Sequence, residues 1–271
     1  MPINQNYVKA FCYGMMFGKD IRPGTIPISM DVLDKDDILL AIKKAYIDMS
    51  PRTFKPKSNI KINSVAKENL LTKIAEKIQS YMIYGLSNIS FDEWHKELCE
   101  FFLNGDATTK GLDALLLAAG KYPNQATFGK AQKIVNMTFK YMYCFDNADQ
   151  YANKFDPCHI PLDSYILDWF FESYKADWET KNQGKKLTKS GDYQLTVWSD
   201  LKYEMDRNDI IPQYKEIQDW IKSRLDNAPT PVPRLEAEFV IWYEARNNIK
   251  PYTYSVYQKH IKRSIQNEKL I

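Results

Sequence analysis

The stretch from Gly129 to Leu167, GKAQKIVNMTFKYMYCFDNADQYANKFDPCHIPLDSYIL, decides how the whole chain reads. From about Thr127 to Phe145, Ile134, Val135, Thr138, Phe139 and Met142 recur at helical spacing and form one apolar stripe. Lys130, Lys133 and Lys140 fall on another part of the same helix. A long polar loop follows, and Pro161-Leu162-Asp163 opens a second helix. Asp in that position is a good N-cap, because its carboxylate accepts the unpaired N–H groups of the first turn. A capping carboxylate also stays ionised at the positive end of the helix. A lysine inside one helix and an aspartate capping the next thus make a candidate two-residue site. The plainer reading makes the lysines the wet side of an amphipathic helix and Asp163 only a cap.

Helical periodicity extends outward from this stretch in both directions. A first short helix is expected over 5–17, closed by Gly18, and a loop over 18–31. Asp34 or Asp36 caps the next helix, which runs through Met49 and stops at Ser50-Pro51, since the residue before proline leaves the α region. After a basic loop at 52–62, Leu70, Ile74, Ile78 and Tyr81 mark a helix from Asn63 or Ser64 to about Met82, ended by Gly85. Ser90-Phe91-Asp92-Glu93 is a capping box, and it opens a helix that ends at Asn104-Gly105. Further helices are expected over 109–121, 193–206, 210–226, 234–247 and 253–267. A flexible lysine-rich connector is expected at 181–189, and a stiff linker at Pro229, Pro231 and Pro233. The chain has only 10 glycines and no pattern of alternating strands, so the expected fold is all-α. The organisation expected is one domain of two helical lobes around a cleft, one lobe over about 64–180 and the other made from 1–63 with 190–271.

Composition narrows the chemistry. The four cysteines, Cys12, Cys99, Cys144 and Cys158, and the three histidines, His95, His159 and His260, are scattered without metal-ligand spacing, so no metal is expected. There is no glycine-rich phosphate loop, and no cofactor is expected. Cys158 and His159 are neighbours in sequence, which does not by itself oppose a thiol to an imidazole. The start, MPINQNYVKAF, lacks a basic region followed by an apolar run, and no apolar segment reaches membrane length. A cytoplasmic protein with reduced thiols is the expectation. The net charge of +3 and pI near 8.4 are compatible with a nucleic-acid partner without requiring one.

The run QKIVNMTFKYMY, with Lys133 and Lys140 seven apart, and the segment HIPLDSYIL together resemble the helix-hairpin-helix DNA glycosylases. The resemblance is closest to the archaeal 8-oxoguanine DNA glycosylase type, in which the interval from lysine to aspartate is long. Here Lys133 to Asp163 spans 163 − 133 = 30 positions. The late segment PVPRLEAEFVIWYEA is similar to that branch's closing helix, so the likeness covers roughly 126–170 and, faintly, 231–245. Two departures stand out. The family's hairpin carries two glycines and this chain offers only Gly129, and there is no four-cysteine cluster of the iron–sulfur branches.

The resemblance implies a base-excision DNA repair enzyme that flips a damaged base, attacks the sugar with Lys133, and uses Asp163 to stabilise positive charge on it. Lys130 is the adjacent rival nucleophile. With DNA as partner, His159 beside the Pro-x-Asp step lines the cleft, Trp169, Lys130 and Lys140 serve substrate contacts, and the stacking face stays open among Trp169, Phe170, Phe171 and the tryptophans further on. Trp198, Trp220 and Trp242 lie further on. The alternative from another class is a non-catalytic helical module that binds nucleic acid or protein, for instance in host–phage defence.

Overall fold

The computed structural model describes residues 30–53, 62–120, 125–229 and 231–247. Over these the protein is all-α, with nine α-helices in chain order. They are α1 (Lys35–Thr53), α2 (Ser64–Tyr84), α3 (Phe91–Asn104), α4 (Leu112–Ala118), α5 (Phe128–Met142), the single turn α6 (Ala152–Phe155), α7 (Ser164–Lys181), α8 (Tyr214–Asp226) and α9 (Arg234–Arg246). The helices expected over 5–17 and 253–267 lie outside the described residues, as do residues 54–61 of the expected basic loop. Among the described residues no helix is long and apolar enough to cross a membrane.

Local chemistry sets most helix ends. Asp34 Oδ1 accepts the N–H groups of Asp36 and Asp37 at 2.8 and 3.0 Å and so caps α1. Asn63 caps α2, and Gly85 closes it at φ 73°. The Ser90–Glu93 capping box opens α3. Asp163 caps α7, its Oδ1 accepting from the amides of Tyr165 and Ile166, both at 3.0 Å.

Several expectations need correction, among them the start of α8, which is Tyr214 and not 210. Helix α1 continues through Pro51 to Thr53, because proline lacks a donor yet its fixed φ is helical, so a last turn tolerates it. Helix α4 begins only at Leu112, because Asp106 Oδ1 gathers the amides of Thr108 and Thr109 into a turn that delays it. Helix α5 ends at Met142, where the amides of Cys144 and Phe145 bond three residues back and tighten the chain. The helix expected over 193–206 is absent; the segment is irregular, with one 3₁₀ turn at Trp198–Asp200. Its backbone groups bond outward: Leu201 O accepts from Gly129 N at 3.0 Å, and the carbonyls of Lys202 and Tyr203 accept from the first turn of α8. The lysine-rich connector before it is anchored by Leu187, which is fully buried, and by Lys189 Nζ on Asp168 at 2.8 Å.

Helix α5 is the centre of the packing. It lies against α1, α3 and the Trp198–Asp200 turn, and the buried residues from Met30 to Ala245 join into one apolar core around it. Of its 15 residues only Lys133 and Met137 are less than buried, so it is not an amphipathic surface helix with a wet lysine face. Gly129 lies inside its first turn, where an added Cβ would come within 2.0 Å of Trp198 O and 3.1 Å of Leu201 N. The glycine serves close approach of two backbones rather than a turn. Gly129→Ala is expected to lose about 2 kcal/mol in urea unfolding, although alanine in an unobstructed helix gains about 1 kcal/mol over glycine. A gain in stability would contradict this packing.

Candidate functional site

The site begins with a loop held like a strand. Gln218 brackets Ile160, its Oε1 accepting from Ile160 N at 3.2 Å and its Nε2 donating to Ile160 O at 2.7 Å. Two residues on, Gln132 brackets Leu162 in the same way, with Oε1 on Leu162 N at 3.3 Å and Nε2 on Leu162 O at 3.1 Å. Extended backbone presents alternate residues to one side, so two side-chain amides satisfy groups that would otherwise be buried unpaired. Gln132 precedes Lys133 and Leu162 precedes Asp163. The second bracket therefore sets the lysine of α5 beside the cap of α7.

Lys133 Nζ lies 3.8 Å from Asp163 Oδ2. Both side chains are mostly covered, at 22% and 16% exposure. Asp163 divides its oxygens: Oδ1 holds the first turn of α7, while Oδ2 faces Lys133 and accepts from Trp242 Nε1 at 3.2 Å. The ring of Trp198 lies 4.4 Å from Lys133 Nζ, in cation–π range. Burial pulls the Lys133 amine below the usual lysine range, and Lys140 adds to that pull. Asp163, Glu238 and Asp48 oppose it.

The other lysines of α5 have different surroundings. Lys140 Nζ meets Glu238 Oε2 at 2.6 Å, with the side chains 2% and 1% exposed. It also lies 4.9 Å from the Phe239 ring and 5.4 Å from the Trp242 ring. Burial pushes the Glu238 carboxyl above the usual range, against the pull of Lys140. Lys130 is buried and donates from Nζ to Gln125 O at 2.5 Å. Lys133 is thus the α5 lysine set against the capping aspartate.

His159 is buried behind the loop, with both ring nitrogens engaged: Nδ1 accepts from the Tyr214 hydroxyl at 2.6 Å and Nε2 donates to Asp92 Oδ1 at 2.6 Å. Asn136 links this chain to His95, donating to Tyr214 Oη at 2.9 Å and accepting from His95 Nε2 at 2.7 Å. Arg234 donates to Pro157 O at 2.8 Å. Burial first, then the charge of Arg234, holds His159 well below the usual imidazole range; burial also leads at His95. His159 therefore supports the loop from within the core instead of lining a cleft. Trp169 is buried too, edge-on to Trp220 at 6.0 Å. The aromatic rings against the Lys133–Asp163 pair are Trp198 and Trp242, with Tyr165 edge-on to Trp242 at 5.9 Å.

Comparison with family models, with curated proteins and with solved structures finds no match to this chain. The site therefore rests on its own geometry. Among the described residues no group of three or more His, Cys, Asp or Glu is arranged to hold a metal, and Cys99, Cys144 and Cys158 are buried. Sequence reasoning missed Gln132, Gln218 and Glu238, and it named Trp198 and Trp242 among the aromatics without singling them out. Glu238 and Trp242 lie in the 231–245 segment, whose pattern carries part of the resemblance. The amides and Trp198 leave no periodic signal.

Two outcomes follow from this geometry. Lys140→Met strands a buried carboxylate and is expected to cost about 3 kcal/mol, much of it regained in Lys140→Met/Glu238→Leu; a double-mutant cycle by urea unfolding measures it. The two histidines are neutral when folded, whereas unfolded histidine titrates near 6.5. Below that pH the unfolded chain takes up protons that the folded chain does not, so stability is full above about 6.5 and falls as the pH drops. The histidines are expected to contribute a fall of about 2 to 4 kcal/mol in unfolding free energy from pH 7 to pH 5. The Glu244 carboxyl, pushed up to about 7 by burial, works against that fall in the same window. A pH profile no shallower in a His95→Gln/His159→Gln variant than in the natural chain contradicts the neutral pair.

Proposed function

We propose that this chain is a DNA glycosylase with associated lyase chemistry, acting on a damaged or modified base through Lys133 and Asp163. The observation that carries this reading is the Lys133 amine, shielded and shifted toward its neutral form, 3.8 Å from a carboxylate fixed at a helix N-terminus. A neutral amine is the nucleophilic form of lysine, and a nearby carboxylate both takes the proton and balances developing positive charge.

In this mechanism the target nucleotide leaves the base stack and enters beside the pair. The bond from C1′ to the base breaks, its electron pair departs with the base, and the base takes up a proton. Lys133 Nζ bonds to C1′ and its proton passes to Asp163 Oδ2, which until then offsets the charge on the sugar. Asp163 returns that proton to the ring oxygen as the sugar opens, which turns the adduct into an imine. The ionised Asp163 then takes the C2′ proton as the 3′ phosphate departs, and water hydrolyses the imine to free Lys133. Trp198, Trp242 and the partly exposed Tyr165 supply flat faces of the kind that hold an unstacked base.

Borohydride trapping on duplexes carrying 8-oxoguanine, uracil or an abasic site tests the assignment. A covalent protein–DNA adduct is expected with the natural chain and none with Lys133→Gln. Asp163→Asn, which keeps a helix-capping side chain, is expected to slow trapping about 100-fold with little change in melting temperature. Absence of an adduct on every duplex, or trapping undiminished in Lys133→Gln, rejects the glycosylase; DNA binding without an adduct points to the non-catalytic module.

A further inference from the structure

We propose that Trp198 is a positioning residue for the Lys133 amine: its ring caps the resting ammonium and gives it up when the amine loses its proton. This role rests on the reading of Lys133 as the reacting amine and adds to it a residue from the 3₁₀ turn in an otherwise irregular segment.

The placement of the ring is built into the backbone. The turn Trp198–Asp200 is tied to α5 by Gly129 N donating to Leu201 O at 3.0 Å and by the Thr127 hydroxyl donating to Ser199 O. Gly129 has no side chain where Trp198 O approaches, so the turn seats directly on the first turn of α5. Lys133 stands one helical turn further along, and its Nζ reaches 4.4 Å from the ring centroid. Sliding the turn along α5 would break the bonds at Thr127 and Gly129 together, so the cap holds its position.

The charges facing the amine come from four elements. They are Asp163 at the head of α7, Lys140 on α5 itself, Glu238 on α9 and Asp48 on α1. Against burial, Trp198 adds attraction for the charged form alone, because the face of an aromatic ring carries negative potential. A neutral amine loses that attraction. Loss of that proton to solvent therefore releases the ring as the amine becomes nucleophilic, leaves Asp163 ionised for the attack, and frees a flat face for an arriving base.

Trace acylation with acetic anhydride, read at Lys133 by peptide mass spectrometry from pH 7 to 11, reports the fraction of neutral amine without any DNA. Each acylation forms an amide at Nζ and releases acetate. Trp198→Leu covers the amine without a ring face, so its midpoint is expected to fall by about half a pH unit, giving about threefold faster labelling below the midpoint. Trp198→Phe keeps a ring face and is expected to stay close to the natural chain, and Lys215 labelling serves as the internal control. Should Trp198→Leu fail to fold, Trp198→Met takes its place. A midpoint unchanged or raised in the aliphatic variant, or lowered equally in Trp198→Phe, overturns the proposal. Failure of DNA trapping with this pattern intact rejects the glycosylase and leaves the cap standing.

Discussion

Two glutamine amides stand in for a missing β-strand. The segment from His159 to Asp163 crosses the interior without a neighbouring strand, and buried backbone N–H and C=O groups each cost about 1 to 3 kcal/mol when unpaired. Gln218 and Gln132 supply both partners at Ile160 and Leu162. Asn136 Nδ2 adds a second donor at Ile160 O, at 3.3 Å. Because the brackets come from α8 and α5, they fix the head of α7 relative to both. The neutral chain of His95, Asn136, Tyr214 and His159, which ends on Asp92, braces the same loop from behind.

On this frame the charges of α5 are arranged by what the interior tolerates. A lysine in a nearly fully buried helix needs either a counter-ion or a carbonyl. Lys140 has Glu238 in the driest position, and Lys130 has the Gln125 carbonyl. Lys133 has the looser arrangement, a carboxylate at 3.8 Å and an aromatic face at 4.4 Å. Burial pulls the Lys133 amine below the usual lysine range, and it is the lysine of the three that meets the cap of a helix.

The all-α class and most helix ends were legible, because Ser90 with Glu93, Asn63, Asp163 and the Gly85 stop act within one turn of themselves. The burial of α5 was not. Lys130, Lys133 and Lys140 read as a wet face, since sequence periodicity cannot see Glu238 and Asp163 arriving from α9 and from the head of α7. The segment 193–206 read as helix because local propensity takes no account of carbonyls claimed by α5 and α8. Lys133 and Asp163 were legible as a pair through spacing and resemblance. Their aromatic neighbours were not, as Trp169 lies closer in sequence than Trp198 or Trp242 but packs into the core.

The two oxygens of Asp163 answer to different demands. One holds α7, a service that serine, threonine or asparagine renders almost as well; the other faces Lys133 and Trp242. Selection for folding therefore guards only half of this carboxylate. A descendant of this chain can exchange the aspartate for another capping residue, keep its helices and core, and lose the charge beside the lysine in a single step. Among any relatives, the identity of the residue at 163 thus separates shared architecture from shared chemistry more sharply than overall similarity does.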